Sequence, residues 1–206
     1  INIVDGDEVV DVRLTNGKNE IILANRNGRA VRFDESAVRP MGRVSTGVRG
    51  MQLDGDDDQL VGMIIVNDAE NETVMVVSEN GYGKRSSVED YRKTNRGGKG
   101  VKTIAVTEKT GRLVAIKNVT DENDLMIINK SGIAIRLAVR DCRVMGRATQ
   151  GVRLINLAKK NDVIASVCKV MSSELEEKVG EDEKLDDVET TSPDTIVEST
   201  TDNNNQ

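Results

Sequence analysis

Ile21-Ile22-Leu23-Ala24-Asn25-Arg26-Asn27-Gly28-Arg29-Ala30-Val31-Arg32-Phe33 reads as a hairpin: an apolar run, an Asn-Gly turn, a second run. Asn-Gly supplies the positive φ angles that a two-residue type I′ turn demands. The pattern returns twice. Val74-Met75-Val76-Val77 leads to Asn80-Gly81, and Leu125-Met126-Ile127-Ile128 leads to Ser131-Gly132. With Gly28, Gly81 and Gly132 in register, segments 20–53, 73–106 and 124–157 align without a gap, at a period of 53 and then 51 residues. Nineteen residues after each turn glycine stands another, Gly47, Gly100 or Gly151, always followed by valine: Val48, Val101 or Val152. Self-similarity near 50 residues marks a propeller-like array, in which each copy is one blade that cannot bury its faces alone.

The strand after each turn alternates, as in Ile133, Ile135 and Leu137 against Ala134, Arg136 and Ala138, so one face is buried and one is wet. Further apolar runs at 9–14, 60–66 and 113–119 precede the hairpins, with polar turns such as Asn16-Gly17-Lys18-Asn19 between. The expected fold is therefore all-β, with four-stranded antiparallel blades at about 1–50, 51–103 and 104–153 and the opening strands of another at 154–170. That array fills a domain of 1–170.

Aromatic content is 1%, with no Trp, only Phe33 and only Tyr82 and Tyr91, so the core must be aliphatic and base-stacking platforms are nearly excluded. No run of 18 apolar residues occurs, and Ile1 falls inside a strand-like pattern, as in a fragment without a membrane span or signal peptide. Cys142 and Cys168 stand alone in a chain without histidine, which argues against a zinc site or a Cys-His nucleophile and for free cytosolic thiols. The Asp56-Asp57-Asp58 and Asp121-Glu122 acids fall in turns and read as solvated. Gly97 to Gly100 is not a Walker loop, since no Ser or Thr follows Lys99. No catalytic constellation and no metal site is expected.

The formal net charge of −6 conceals a division. Residues 172–206 hold twelve Asp/Glu and two Lys, a charge of −10, and the body keeps +4. The segment 171–206 is read as a disordered acidic tail, either a solubilising extension or an electrostatic mimic that competes with a polyanion for the body.

The cations fall in columns of the repeat. Four residues after the turn glycine stand Arg32, Arg85 and Arg136; eleven after, Arg39, Arg92 and Arg143. Fifteen after come Arg43, Arg96 and Arg147; twenty-one after, Arg49, Lys102 and Arg153. Arg96-Gly97-Gly98-Lys99-Gly100-Val101-Lys102 concentrates the theme, with glycines that let a ligand approach the backbone and cations that hold phosphate oxygens. Blades around an axis place equivalent residues at regular steps, which turns the columns into a cationic band suited to a bent duplex, bound through phosphates and tolerant of sequence. The competing expectation is that each column pairs with acids inside its own blade, such as Asp34, Glu35, Glu89, Asp90 and Asp141.

Arg96 to Gly100, with Gly42-Arg43-Val44-Ser45-Thr46-Gly47-Val48-Arg49-Gly50, Gly146-Arg147-Ala148-Thr149-Gln150-Gly151-Val152-Arg153 and Asn80-Gly81-Tyr82-Gly83-Lys84-Arg85, closely resembles the C-terminal domain of the DNA gyrase A subunit over residues 1 to about 170. The resemblance implies a β-pinwheel that wraps DNA on a positive rim and so supports ATP-dependent negative supercoiling. It also implies DNA-binding roles for the column residues, Lys84 and Lys99. ATP and Mg²⁺ would be used elsewhere in an A2B2 heterotetramer in the bacterial cytoplasm, and no cofactor would sit in this chain. The family's hallmark box, Gln-Arg-Arg-Gly-Gly-Lys-Gly, is matched at five of seven positions, Thr94 and Asn95 replacing the first two, so the full box is expected upstream of Ile1. The equivalent domain of topoisomerase IV, or a protein-binding propeller whose tail contacts a partner, are the alternatives.

Overall fold

The computed structural model describes residues 1–157 and 162–172, so nearly all of the acidic tail read from the sequence lies outside the described residues. The three expected hairpins are present: β1 (Glu20–Asn25) with β2 (Arg29–Asp34), then β4 (Thr73–Ser78) with β5 (Tyr82–Ser87), then β8 (Asn123–Asn129) with β9 (Ala134–Ala138). All described strand pairs are antiparallel, as the all-β expectation requires.

The cut between copies differs from the expected one. β3 (Leu60–Val66) and β7 (Leu113–Val119) do not open the copy that follows; each pairs with the hairpin before it, Ile64 opposite Ile22 and Ile116 opposite Val76. The stretch 163–170, expected to begin a fourth copy, lies instead within or just before β11 (Ile164–Met171), which pairs with β8. A repeat fixes the period of a pattern but not where a unit begins, and the connection 67–72 proves to join neighbouring sheets. The run 9–14 forms no strand, and Val9, Val10, Val12 and Leu14 are exposed. β3, β7 and β11 each use a hairpin earlier in the chain, and among the described residues none precedes Val9.

Two short strands cross from one copy to the preceding sheet. β6 (Val101–Lys102) pairs with β2, and β10 (Val152–Arg153) with β5. The sheets run β3-β1-β2-β6, β7-β4-β5-β10 and β11-β8-β9. Among the described residues there are thus two four-stranded sheets and one three-stranded sheet.

Strand parity explains the continuous apolar runs, because a strand covered on both faces has no polar side to alternate with. Ile22, Ala24 and Ile64 of the first sheet pack with Val74, Val76 and Ile116 of the second, around Val88, Tyr91 and Ile104. The other face of the second sheet, with Met75, Val77 and Val119, meets Leu125, Ile127 and Val167 of the third. Ile21, Leu23 and Phe33 make a smaller cluster with Met51 on the remaining face of the first sheet. Ile135 and Leu137 pack on the second core, as their alternation requires.

The crossings require close backbone contact. At Gly151, φ is +78° and a Cβ would lie 2.5 Å from the Gly83 carbonyl oxygen; Gly100 meets Ala30 in the same way. Gly47, the first member of this column, has φ +85° and open space around it. Lys84 and Tyr91 are buried at the joints. Lys84 Nζ donates to the Gly146 carbonyl at 2.6 Å, and burial pulls its pKa down to about 8. Tyr91 shares a 2.5 Å hydrogen bond with Thr103, and burial pushes its pKa up to about 12.

Gly47→Ala is expected to cost about 1 kcal/mol from positive φ alone, and Gly151→Ala about 3 kcal/mol because steric overlap is added. Urea unfolding of the two variants checks the difference. Lys84 binds a proton more weakly folded than unfolded, so its penalty is full below about pH 8 and fades towards 10.5. Stability measured from pH 8 to 10 should therefore rise more in the parent than in Lys84→Met; equal slopes would show that Lys84 carries no depressed pKa. Above pH 10 Tyr91 acts in the opposite sense, since the unfolded phenol ionises first.

Candidate nucleic-acid interface

β3 packs against β7 and β7 against β11, so these edge strands form the inner side of the array. β6 and β10 lie at the opposite sheet edges. The long segments 35–59, 88–112 and 139–151 contain a one-turn 3-10 helix, Glu35–Ala37, Val88–Asp90 or Val139–Asp141. In the second and third copies that segment then leads to the outer-edge strand. Three of the four arginine columns lie on these segments or on the short strands they deliver.

The column four residues after the turn does not belong to the edge. Arg32 and Arg85 are 7% and 6% exposed. Arg32 Nε bonds Glu20 at 2.5 Å, its Nη1 donates to the Val88 and Tyr91 carbonyls at 2.9 and 3.1 Å, and its Nη2 reaches Glu89. Arg85 repeats the arrangement with Thr73, Asp121 and the Val139 and Cys142 carbonyls. Arg136 binds Asp124 at 2.7 Å and the Met171 carbonyl. These three guanidiniums hold structure together and are paired with acids, which removes them from the expected binding band; the partners are Glu20, Asp121 and Asp124, and the named acid Glu89 is reached across the joint by Arg32. Lys84 leaves the band as well, because its ammonium is buried against Gly146.

The column at fifteen is split. Arg96 donates from Nε to Ala37 and from Nη1 to Arg49, at 2.9 and 3.0 Å. Arg147 donates to Asp90 and Lys102, both at 2.9 Å. Arg43 is exposed with no side-chain partner among the described residues.

The columns at eleven and twenty-one remain at the surface. Arg39, Arg92, Arg143, Arg49, Lys102 and Lys99 are exposed, and none makes an ion pair with a described carboxylate. Arg153 lies over the Tyr82 ring at 5.5 Å and donates to its hydroxyl at 2.9 Å. Tyr82 itself is buried, 7% exposed. Asp58 is likewise buried and accepts from Asn25, Asn27 and Asp54, so it organises a turn and is not solvated.

Two lysines outside the columns enter the picture. Lys109 stands 5.6 Å from the Tyr82 centroid. Lys93 bonds Glu20 and Asp34, which raises its own pKa; burial pushes the Glu20 carboxyl up, but Lys93 and Arg32 outweigh burial and leave it lowered. Lys93 does not recur with the repeat, the first copy carrying Pro40 and the third Val144 in its place; Lys109 is matched by Lys160 in the third copy and replaced by Asp56 in the first.

What remains is an edge with seven cations that lack an acidic partner among the described residues, Arg39, Arg43, Arg49, Arg92, Lys99, Lys102 and Arg143, and a Tyr-stacked Arg153. Such an arrangement has the means to hold a polyanion by its charges. Among the described residues no group of His, Cys, Asp or Glu could hold a metal ion, Cys142 and Cys168 are free, and no helix is long and apolar enough to cross a membrane.

A family model, the DNA gyrase C-terminal domain, beta-propeller, matches residues 19–67, 72–120 and 123–168. Those stretches coincide closely with β1 to β3, with β4, β5 and β7, and with β8, β9 and β11. The DNA gyrase A subunit of Staphylococcus aureus (strain NCTC 8325 / PS 47) is 45% identical over 184 residues, 89% of this chain and 20% of the relative. The chain thus spans about a fifth of the length of the curated relatives it matches. A crystal structure of the C-terminal domain of DNA topoisomerase IV superposes with a TM-score of 0.79 at 27% identity, covering 90% of this chain and 57% of the other. A DNA gyrase A C-terminal domain gives 0.74 at 28%, covering 83% and 57%. With its three sheets matched in turn, the chain belongs to the DNA gyrase C-terminal domain family.

Proposed function

We propose that this chain binds duplex DNA along its outer sheet edges, without reading sequence, and bends the duplex around them in support of negative supercoiling by a gyrase. The observation that carries the reading is the set of seven exposed cations without described acidic partners, repeated along the edge segments. Arginine and lysine at such positions neutralise phosphates, displace counterions and leave the base edges unread. The fold and the relatives' names support the same reading, with the remainder of a gyrase A subunit and a gyrase B subunit as partners. ATP and Mg²⁺ belong to those parts of the assembly.

Topoisomerase IV is the second reading, favoured by the 0.79 superposition on its C-terminal domain. The 45% identity to a gyrase A subunit supports gyrase.

If the seven free cations each meet a phosphate, log Kobs against log salt falls with a slope of about −6. Replacing Arg39, Arg92 and Arg143 together by Ala should make the slope shallower by about 3 and weaken binding alike on unrelated sequences. A slope near zero, or loss confined to one sequence, would refute phosphate binding. The acidic residues 172–206 would compete for the same cations, so removing them should tighten binding at low salt and have little effect at high salt.

A further inference from the structure

Arg96 and Arg147 carry the same fixed charge as the free arginines of the edge, yet each spends two of its donors on backbone carbonyls of the preceding copy. Arg96 grips the carbonyls of Ala37 and Arg49; Arg147 grips those of Asp90 and Lys102. These oxygens lie beside the exposed cations. Ala37 and Asp90 stand two residues before Arg39 and Arg92, and Arg49 and Lys102 are themselves exposed. The sequence separations run from 45 to 59 residues, so one planar group ties the far end of one copy's segment to the next copy.

The two joints use the same pair of donors on equivalent carbonyls, which makes the grip a repeated device. We propose that Arg96 and Arg147 are positioning residues for the DNA track: their two-pronged grip on neighbouring backbone, and not their charge, sets the spacing of the free cations from one sheet to the next. The inference rests on the DNA-binding reading above.

Guanidinium geometry is what the grip needs. Nε and Nη1 present two N–H bonds at a fixed angle, and they engage two carbonyls on separate stretches of chain. Lysine has one ammonium on a flexible stem, so it preserves charge but cannot hold both oxygens at a set separation. The consequence concerns long DNA more than short. A duplex that reaches one sheet needs only local charge, whereas one that crosses several sheets needs the cations at steps that match successive phosphates. Misplaced steps lose the gain that linked contacts provide.

The test uses the full 206-residue chain with Arg96→Lys/Arg147→Lys and the corresponding Ala pair. Each is measured on a duplex of about 20 bp and on one of about 150 bp carrying a donor and an acceptor dye at its ends. The expected result is that the Lys pair binds the short duplex within about twofold of the parent, yet binds the long one about tenfold more weakly and brings its ends together less, like the Ala pair. Hydrogen exchange on the free chain should quicken in the edge segments around 37–39, 49–52, 90–92 and 101–103 while β4 and β8 stay protected. Should the Lys pair match the parent on the long duplex, charge alone is at work and the positioning role is refuted. Faster exchange spread evenly through β4 and β8 would likewise overturn it, as the mark of general destabilisation. Failure of the parent itself to bind either duplex in a salt-dependent manner would instead strike the DNA-binding reading, and this inference with it.

Discussion

Hydrogen bonds from arginine side chains to main-chain carbonyls of the neighbouring copy are the interaction on which this structure depends. Around each one-turn 3-10 helix the chain leaves the sheet ladder, and arginine side chains supply donors to its carbonyls, buried ones at Val88 and Tyr91 and surface ones at Ala37 and Arg49. Each joint is bonded from both directions. Arg32 reaches forward to Val88 and Tyr91, and Arg96 reaches back to Ala37 and Arg49; Arg85 and Arg147 repeat the exchange one joint later. Together with β6 and β10, which cross to the preceding sheet, these bonds make each sheet incomplete without its neighbour. The cores then follow, since Val74 and Val76 can cover Ile22 and Ile64 only when the second sheet is held against the first.

Two populations of arginine therefore share one periodicity, and the period alone does not separate them. The hairpin register does. Arg32, Arg85 and Arg136 stand opposite Ile22, Met75 and Met126, on a strand face whose cross-strand neighbours are apolar. Arg32 and Arg85 are buried there and must find partners inside, whereas Arg136 is exposed; Glu20, Thr73 and Asp124, each twelve residues earlier, serve the three. That the two strands pair could be read from the turns, but not their register: a two-residue Asn27-Gly28 turn would set Ile22 opposite Phe33, whereas the loop is three residues long, Arg26 to Gly28, and shifts the pairing by one. Nor could the fate of Arg96 and Arg147 be read. Their acceptors are main-chain oxygens about 50 residues away, and a carbonyl leaves no trace in residue identity.

The hairpins, the all-β class and the edge columns at eleven and twenty-one were legible for a similar local reason: turn chemistry and strand parity act within a few residues. The pairing of β3 with β1, and of β7 with β4, was not. Either neighbouring hairpin offers an apolar strand of suitable length, and the choice is made by the packing of β3 on β7 at the inner edge. Lys84 shows the same limit. Its counterparts are Val31 and Ile135, an apolar position in the other two copies, and only the nearby Gly146 carbonyl explains how an ammonium is tolerated there.

If the chain bends DNA as proposed, the division of labour among cations has a mechanical rationale. Bending a duplex of about 20–30 bp costs several kcal/mol, and the bent duplex pushes back on whatever holds it. Free arginines at an edge can grip phosphates, but if the sheets swung apart the DNA would straighten and the contacts would be kept at no elastic cost. Joints closed by guanidinium forks and by backbone apposition at Gly100 and Gly151 resist that motion, since neither a fixed planar donor pair nor two backbones in contact has room to yield. On the proposed function, a basic edge on loosely joined sheets would bind DNA, and joints pinned by arginine would supply the resistance that holding it bent requires.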